Sequence, residues 1–233
     1  DASAKIVGPR LLHSSQWGII DPIDTPDGGN VGLHKHLAIT ANITSGCSGY
    51  PMIKWLRKYI KYTLLSEISP SNISHMCKLF VNGNWVGVLN NPSDSLKKIK
   101  QYRRSALIPI FTSINWDLTD NIINIYTDSG RLCRPIFYND NNNASYNKDF
   151  IIEKVKKNDF SWEELVTGFA KKNKSFNYND LCAYMKISDL YNTNNINELE
   201  ETKAVIEYLD TAETETGTSL TILNHANQQK IIG

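Results

Sequence analysis

An α+β chain built from several small modules is what this sequence predicts, and three observations predict it. Apolar residues recur at helical spacing in some stretches and in short strand-like runs in others. Asn-Gly and Asp-Ser-Gly punctuation breaks up the strand-like runs. The two kinds of stretch follow one another with no repeat at a solenoid period. With 233 residues, 41% of them apolar, the chain is long enough to bury a core. Its 25 basic and 24 acidic residues leave a formal charge of +1. That balance excludes a generally basic nucleic-acid coat, though not a local patch.

Residues 1–72 read as a first unit, loop-dominated at its start, with short apolar pieces such as "HLAITANI" supplying one or two strands. A helix is expected from Pro51, with Met52, Ile53, Leu56, Tyr59, Ile60, Thr63 and Leu64 as its buried stripe. Lys54, Arg57, Lys58 and Lys61 take its other side. Residues 73–138 form a second unit. "KLFVNGNWVGVL" predicts a hairpin turning at Asn82-Gly83, a dipeptide that accepts positive φ. "NPSDSLKKIKQYRRSA" predicts a helix with Leu96, Ile99 and Tyr102 inward and Lys97, Lys98, Lys100, Arg103 and Arg104 outward. "NIINIYTDSGRLCRPIF" predicts a second hairpin, turning at Asp128-Ser129-Gly130. In residues 139–233, "YNDNNNASYNKD" reads as a surface loop or linker. "SWEELVTGFAKK" carries a capping box, Ser161 with Glu164, and an apolar face of Trp162, Leu165, Val166 and Phe169. "ELEETKAVIEYLD" is a helix or strand leading into an acidic "TAETETG" turn.

No signal peptide is recognisable and no apolar run is long enough to span a bilayer. Cys47, Cys77, Cys133 and Cys182 are scattered without a CxxC pair, so they read as reduced thiols of an intracellular protein. The chain opens at Asp1 without methionine and stops after "KIIG", as an internal fragment would.

The chemistry concentrates in "WGIIDPIDTPDGGNVGLHKH", residues 17–36. Pro22 and Pro26 forbid the helix that would align Asp21, Asp24 and Asp27 on one face. "DTPDGGN" lacks the alternating acids and distal glutamate of a calcium loop. "GGNVG" lacks the GK[ST] of a phosphate-binding loop. His34 and His36 with an aspartate could offer metal ligands, the basis of a stand-alone metal-dependent hydrolase. Against that, Pro-Asp and Asp-Gly are turn formers and lone histidines usually only hydrogen-bond, so the structural turn outweighs the metal site. For the basic helix faces, solvation likewise outweighs contact with phosphates.

Function enters through a resemblance. "PRLLHSSQWGIIDPIDTPDGGNVGLHKHLAI" resembles the signature R-x-x-H-x-x-x-[WY]-G-x-x-C-P-x-E-T-P-E-G-x-x-x-G-L of the second-largest subunit of multisubunit DNA-directed RNA polymerases. Arg10, His13, Trp17, Gly18, Pro22, Thr25, Pro26, Gly28, Gly32 and Leu33 match in register. "KLFVNGNWVGVLNNP", "IYTDSGRLCRPIF" and "VIEYLDTAETET" resemble three later motifs in the same order. The likeness is to the eukaryotic, archaeal and large-DNA-virus branch, with a lean towards a large cytoplasmic DNA virus from the Asn-, Ile- and Lys-rich surface. The location implied is a virus factory or virion if viral and the nucleus if cellular.

The resemblance implies that residues 1–72 are the later part of the fork region beside the active centre. Residues 73–138 would be a small external module, and 139–233 would lead towards the hybrid-binding region. Expected partners are the largest subunit, the other polymerase subunits, template DNA, the RNA transcript and nucleoside triphosphates, with no membrane. It implies further that Mg²⁺ serves the whole enzyme from aspartates of the largest subunit. This piece would then hold no metal and no catalytic residue, and would be inactive alone. Pro26, Asp27 and Asn30 would lie near the RNA, supported by Arg10, His13, Asp24, Gly28 and Gly32. Asp27 is expected to orient a cation, from an arginine of the preceding fork or from Arg10. The family cysteine is Asp21 here, which points to a new ion pair with Lys35 or Arg10, and both family glutamates are the shorter Asp24 and Asp27. A purely structural assembly role, centred on 73–138, is the remaining alternative.

Overall fold

A computed structural model describes residues 6–140, 143–169, 202–220 and 229–230 of the chain. The architecture is α+β, with two sheets and helices packed against them. Strand β1 (Asn42–Ile43) precedes α1 (Gly49–Trp55), which runs on as a π-helical turn over Leu56–Ile60. The helix starts two residues before Pro51 because Ser48 caps it, its hydroxyl accepting from the Tyr50 N–H. It stops at Lys61, in the left-handed region at φ 60°. Trp55, absent from the expected stripe, is fully buried.

The first sheet has the order β3-β2-β5-β4, from β2 (Cys77–Val81), β3 (Asn84–Leu89), β4 (Ser113–Asp117) and β5 (Ile122–Tyr126). A short helix α2 (Pro70–Ile73) leads into it, and α3 (Pro92–Arg104) joins its two hairpins. Asn82 and Gly83 turn the first hairpin with φ 49° and 81°, as their sequence predicts. Leu79, Val81, Ile99, Ile114, Ile123 and Ile125 close the core, and α1 adds Met52, Trp55 and Leu56 to it.

The second hairpin expected from the sequence does not form. β5 pairs with β2 and β4, whereas β6 (Leu132–Asp140) belongs to the other sheet, flanked by β1 and by β8 (Ile206–Asp210). Residues 44–47 force the two strands apart. Thr44 N–H donates to the Arg131 carbonyl, and Cys47 N–H donates to the Thr127 carbonyl. The second hairpin of the module is instead β4–β5, turned where Asp117 accepts from the Thr119 and Asp120 N–H groups.

Beyond β6, β7 (Asn143–Ala144) pairs with its end, so part of the expected linker is a hairpin. Helix α4 (Asp149–Lys156) and α5 (Trp162–Thr167) follow. Ser161 and Glu164 make the capping box reciprocally, as expected, but Trp162 is 55% exposed and only Val166 of the expected face is buried. "TAETETG" is not a turn. It belongs to helix α6 (Thr211–Leu220), capped by Asp210, whose carboxylate accepts from the Glu213 N–H. β9 (Gln229–Lys230) also pairs with β6.

The five outward basic residues expected on α3 are largely turned inward. Arg103 is 1% exposed and pairs with Glu207 at 3.1 Å and Glu213 at 2.8 Å. Arg104 shares Glu207 at 3.0 Å, Lys100 lies 3.8 Å from Glu213, and Lys98 donates to the Tyr59 carbonyl. Lys97 alone of the five is exposed. Arg131, from the "TDSGR" motif, pairs with Asp210 at 2.7 Å and with Asp128 at 2.9 Å. Residues of two quoted motifs and of α3 thus meet in one ionic joint between the two sheets. Among the described residues no helix is long and apolar enough to cross a membrane.

Cys77 and Cys133 are buried free thiols, Cys47 is half-buried, and Cys182 lies outside the described residues. Burial pushes the Cys77 thiol up to about 11 and that of Cys133 up to about 12. Because the thiolate is the nucleophile, iodoacetamide at pH 8 is expected to alkylate Cys47 well before either buried thiol. Peptide-resolved mass spectrometry checks this order, and equal rates at the three positions would contradict the packing.

Candidate functional site

Residues 17–36 form an arch rather than a helix or sheet. Its feet are an antiparallel bridge, Ile20 opposite Leu37, with Asp21 N–H donating to the His36 carbonyl and Ala38 N–H to the Ile19 carbonyl. Between the feet the chain makes a 3-10 turn, Gly28–Asn30, with Asp27 at its cap position. Two side chains fasten the arch. Thr25 Oγ1 donates to the His34 carbonyl at 3.0 Å and accepts from the Gly32 N–H at 2.8 Å. From outside, Arg10 Nη1 donates to the carbonyls of Gly29 and Val31, each at 2.8 Å.

The glycines have different duties. Gly32 has φ +73°, and a Cβ there would sit 2.5 Å from the Arg10 carbonyl oxygen. Gly28 has φ +79° with open space around it, so only its backbone conformation demands glycine. Gly18 sits at the arch's foot with φ +70°, where a Cβ would strike the side chain of Arg134, itself 4% exposed on β6. Burial pushes the Arg134 guanidinium below the ordinary arginine value.

The expected ionic roles are redistributed. Asp21 forms no pair with Lys35 or Arg10. Its Oδ1 accepts from the N–H groups of Ile23 at 2.9 Å and Asp24 at 3.2 Å, and these bonds hold its carboxyl below the usual range. Lys35 Nζ donates to the Pro9 carbonyl instead. Arg10 forms no ion pair or hydrogen bond with Asp27; its Nη1 goes to the two carbonyls of the arch. His13 supports the neighbouring turn, its Nδ1 accepting from the Ser15 N–H. Asp24 lies 3.8 Å from His36 Nδ1, both of them exposed.

What the arch leaves outward is Pro26, Asp27 and Asn30, all exposed. Among the described residues the Asp27 carboxylate and the Asn30 amide take no hydrogen bond or ion pair, so both are available to an outside partner. Around them Trp17, Ile23, Val31, Leu37 and Ile39 are exposed as well. So much apolar surface in one short segment is normal for a buried interface and unusual for a free surface. The metal alternative finds no geometry: among the described residues no three His, Cys, Asp or Glu side chains converge. His34 enters the arch only through its carbonyl. Thr25, matched in the motif but given no role by sequence reasoning, is the latch the reading missed. Its place between Asp24 and Pro26, in a turn-forming run, was the available signal.

Two family models match. "RNA polymerase Rpb2, domain 3" covers residues 1–43, the stretch that includes the arch, and "RNA polymerase Rpb2, domain 4" covers 79–140. Among curated relatives, DNA-directed RNA polymerase II subunit RPB2 of Encephalitozoon cuniculi is 35% identical over 167 residues, 72% of this chain and 14% of its own length. DNA-directed RNA polymerase II subunit 2 of Arabidopsis thaliana is 35% identical over 190 residues, 80% of this chain and 16% of its own. DNA-directed RNA polymerase III subunit RPC2 of Drosophila melanogaster is 34% identical over 136 residues, 58% and 12% respectively. The chain therefore spans a small part of each relative. These relatives are cellular eukaryotes, and the lean towards a virus finds no support among them.

Proposed function

Since this chain belongs to the family of second-largest subunits of DNA-directed RNA polymerases, we propose that it forms part of one wall of the active-centre cleft in a transcribing enzyme. The observation that carries this reading is the division of labour in the arch. Arg10, Thr25 and Asp21 are consumed in holding its backbone, while Asp27 and Asn30 stand exposed and without partners among the described residues. A rigid loop with free polar tips suits contact with a strand whose sequence must not matter. The Asn30 amide can donate to a phosphate or ribose oxygen and so position the transcript without reading bases.

Asp27 cannot face a phosphate directly, because like charges repel at short range. It serves by accepting from a cation supplied by another part of the polymerase, which it turns towards the RNA. The two Mg²⁺ ions that activate the RNA 3′-hydroxyl and stabilise pyrophosphate belong, on this proposal, to the largest subunit. The donors of the arch do not fit such a site, with Asp21 spent on backbone N–H groups and Asp24 set against His36. Other polymerase subunits, template and nucleoside triphosphates complete the set of partners, and the nucleus is the place of action.

Asp27→Ala in the assembled enzyme is expected to slow elongation several-fold, on the order of tenfold at most, while leaving the melting temperature nearly unchanged. Stopped-flow nucleotide addition beside a thermal scan tests it. Normal elongation with Asp27→Ala and with Asn30→Ala would remove both residues from the transcript's path.

A further inference from the structure

The two basic helix faces, alike in sequence, are used differently in the fold. That of α3 is absorbed into the joint with Glu207 and Glu213, whereas that of α1 and its π-helical turn is left open. Lys54, Arg57, Lys58 and Lys61 are all exposed. Arg57 pairs with Glu67 at 2.6 Å, but Lys54, Lys58 and Lys61 have no carboxylate within 4.0 Å among the described residues. In a chain of formal charge +1 this is a local excess of cation.

Aromatic rings organise the excess. Lys54 Nζ lies 4.2 Å from the centroid of the exposed Tyr50 ring, and Lys58 Nζ lies 5.2 Å from that of Tyr59. Lys98 reaches across from α3 to the Tyr59 carbonyl at 3.0 Å and brings a further ammonium group to the same place. The turn carrying Arg57 and Lys58 is π-helical, a geometry common at functional sites.

We propose that this face, Lys54, Lys58 and Lys61 with Tyr50 beside them, is a second nucleic-acid contact, gripping the phosphate backbone of a strand apart from the arch. It rests on the reading that the chain works inside a polymerase. The contact is electrostatic and blind to sequence, because ammonium groups on flexible stems meet phosphates as point charges. A phosphate backbone is favoured over an acidic polypeptide by the grouping of three carboxylate-free cations with the exposed Tyr50 ring, since cations beside an aromatic side chain suit a charged strand of stacking bases.

The test is the salt dependence of nucleic-acid binding by the assembled polymerase, on a scaffold of template, transcript and downstream duplex. The triple variant Lys54→Gln/Lys58→Gln/Lys61→Gln should make the plot of log affinity against log salt shallower by about 2 to 3. The matching Lys→Arg triple should restore the wild-type slope. An unchanged slope in the glutamine variant overturns the proposal, and so does an unchanged slope accompanied by loss of an acidic protein partner. Asp27→Ala, assayed in parallel, separates the two readings. It should slow elongation and leave the slope alone, so failure of the lysine test leaves the arch standing. Failure of both removes the cleft reading itself.

Discussion

Arg103→Ala should destabilise the chain by about 3–5 kcal/mol, the usual cost of stripping one partner from a buried ionic cluster. Arg103 is 1% exposed and its guanidinium reaches two carboxylates that are themselves 2% and 3% exposed. Removing it takes from Glu213 its nearest cation and leaves the more distant Lys100, at 3.8 Å, and the Ile114 N–H, at 3.3 Å, which cannot replace a bidentate guanidinium. It also frees the Thr112 carbonyl, which accepts from Nη1 at 2.8 Å. The urea midpoint of the chain measures the loss. A double variant, Arg103→Met with Glu213→Leu, should recover much of it, because replacing a buried pair by apolar side chains is often neutral. A change under about 0.5 kcal/mol for Arg103→Ala would mean that the joint is exposed to water.

The same joint sets the acid limit of the fold. Burial alone would raise the Glu207 carboxyl, but Arg104 and Arg103 more than reverse that and hold it well below the ordinary glutamate range. A carboxyl depressed in the folded state contributes stability that is complete above its unfolded value, near 4.3. That contribution drains away as pH falls from there towards the folded value. Stability should therefore decline steeply below about pH 4, and Glu207→Gln should flatten the decline.

Gly32→Ala is the second large effect. At φ +73° a side chain is strained whatever the space, a cost of about 1–3 kcal/mol. Here the new Cβ would also lie 2.5 Å from the Arg10 carbonyl oxygen and 2.8 Å from its Cα. Those are backbone atoms that cannot swing aside. The arch must yield, and with it the Gly32 N–H bond to Thr25 and the grip of Arg10 on Gly29 and Val31. Gly28→Ala carries the φ strain without the collision, since nothing lies within 4 Å. In assembled polymerase, Gly32→Ala should reduce elongation about tenfold or more, and Gly28→Ala distinctly less. Equal effects would show that conformation alone governs the arch.

Local features of the fold were legible in the sequence. Asn82-Gly83 turned where its φ preferences require, and Ser161 capped with Glu164, because both depend on residues within a few positions of each other. What was not legible depended on distance along the chain. Arg103 looked like one more lysine-type surface residue until its acceptors arrived from positions 104 and 110 residues away. The separation of β5 from β6 is imposed by residues 44–47, 80 or more residues upstream of the positions they hold, and no local pattern records it. In the arch, the register of Arg10, Thr25 and Gly32 was visible, but their contacts were not. Asp21 shows why: an aspartate that accepts from N–H groups two and three residues on is spelled the same way as one that makes an ion pair.

The claim beneath the functional reading is that the outer tip of the arch lies against the transcript near its growing end. Halted elongation complexes assembled around the full subunit, with a photoreactive 4-thiouridine at the RNA 3′ end, test it most directly. The account predicts adducts on the peptide containing Pro26, Asp27 and Asn30, lost when the RNA is released. Efficient crosslinking to other polymerase segments with none to residues 26–30 would contradict it.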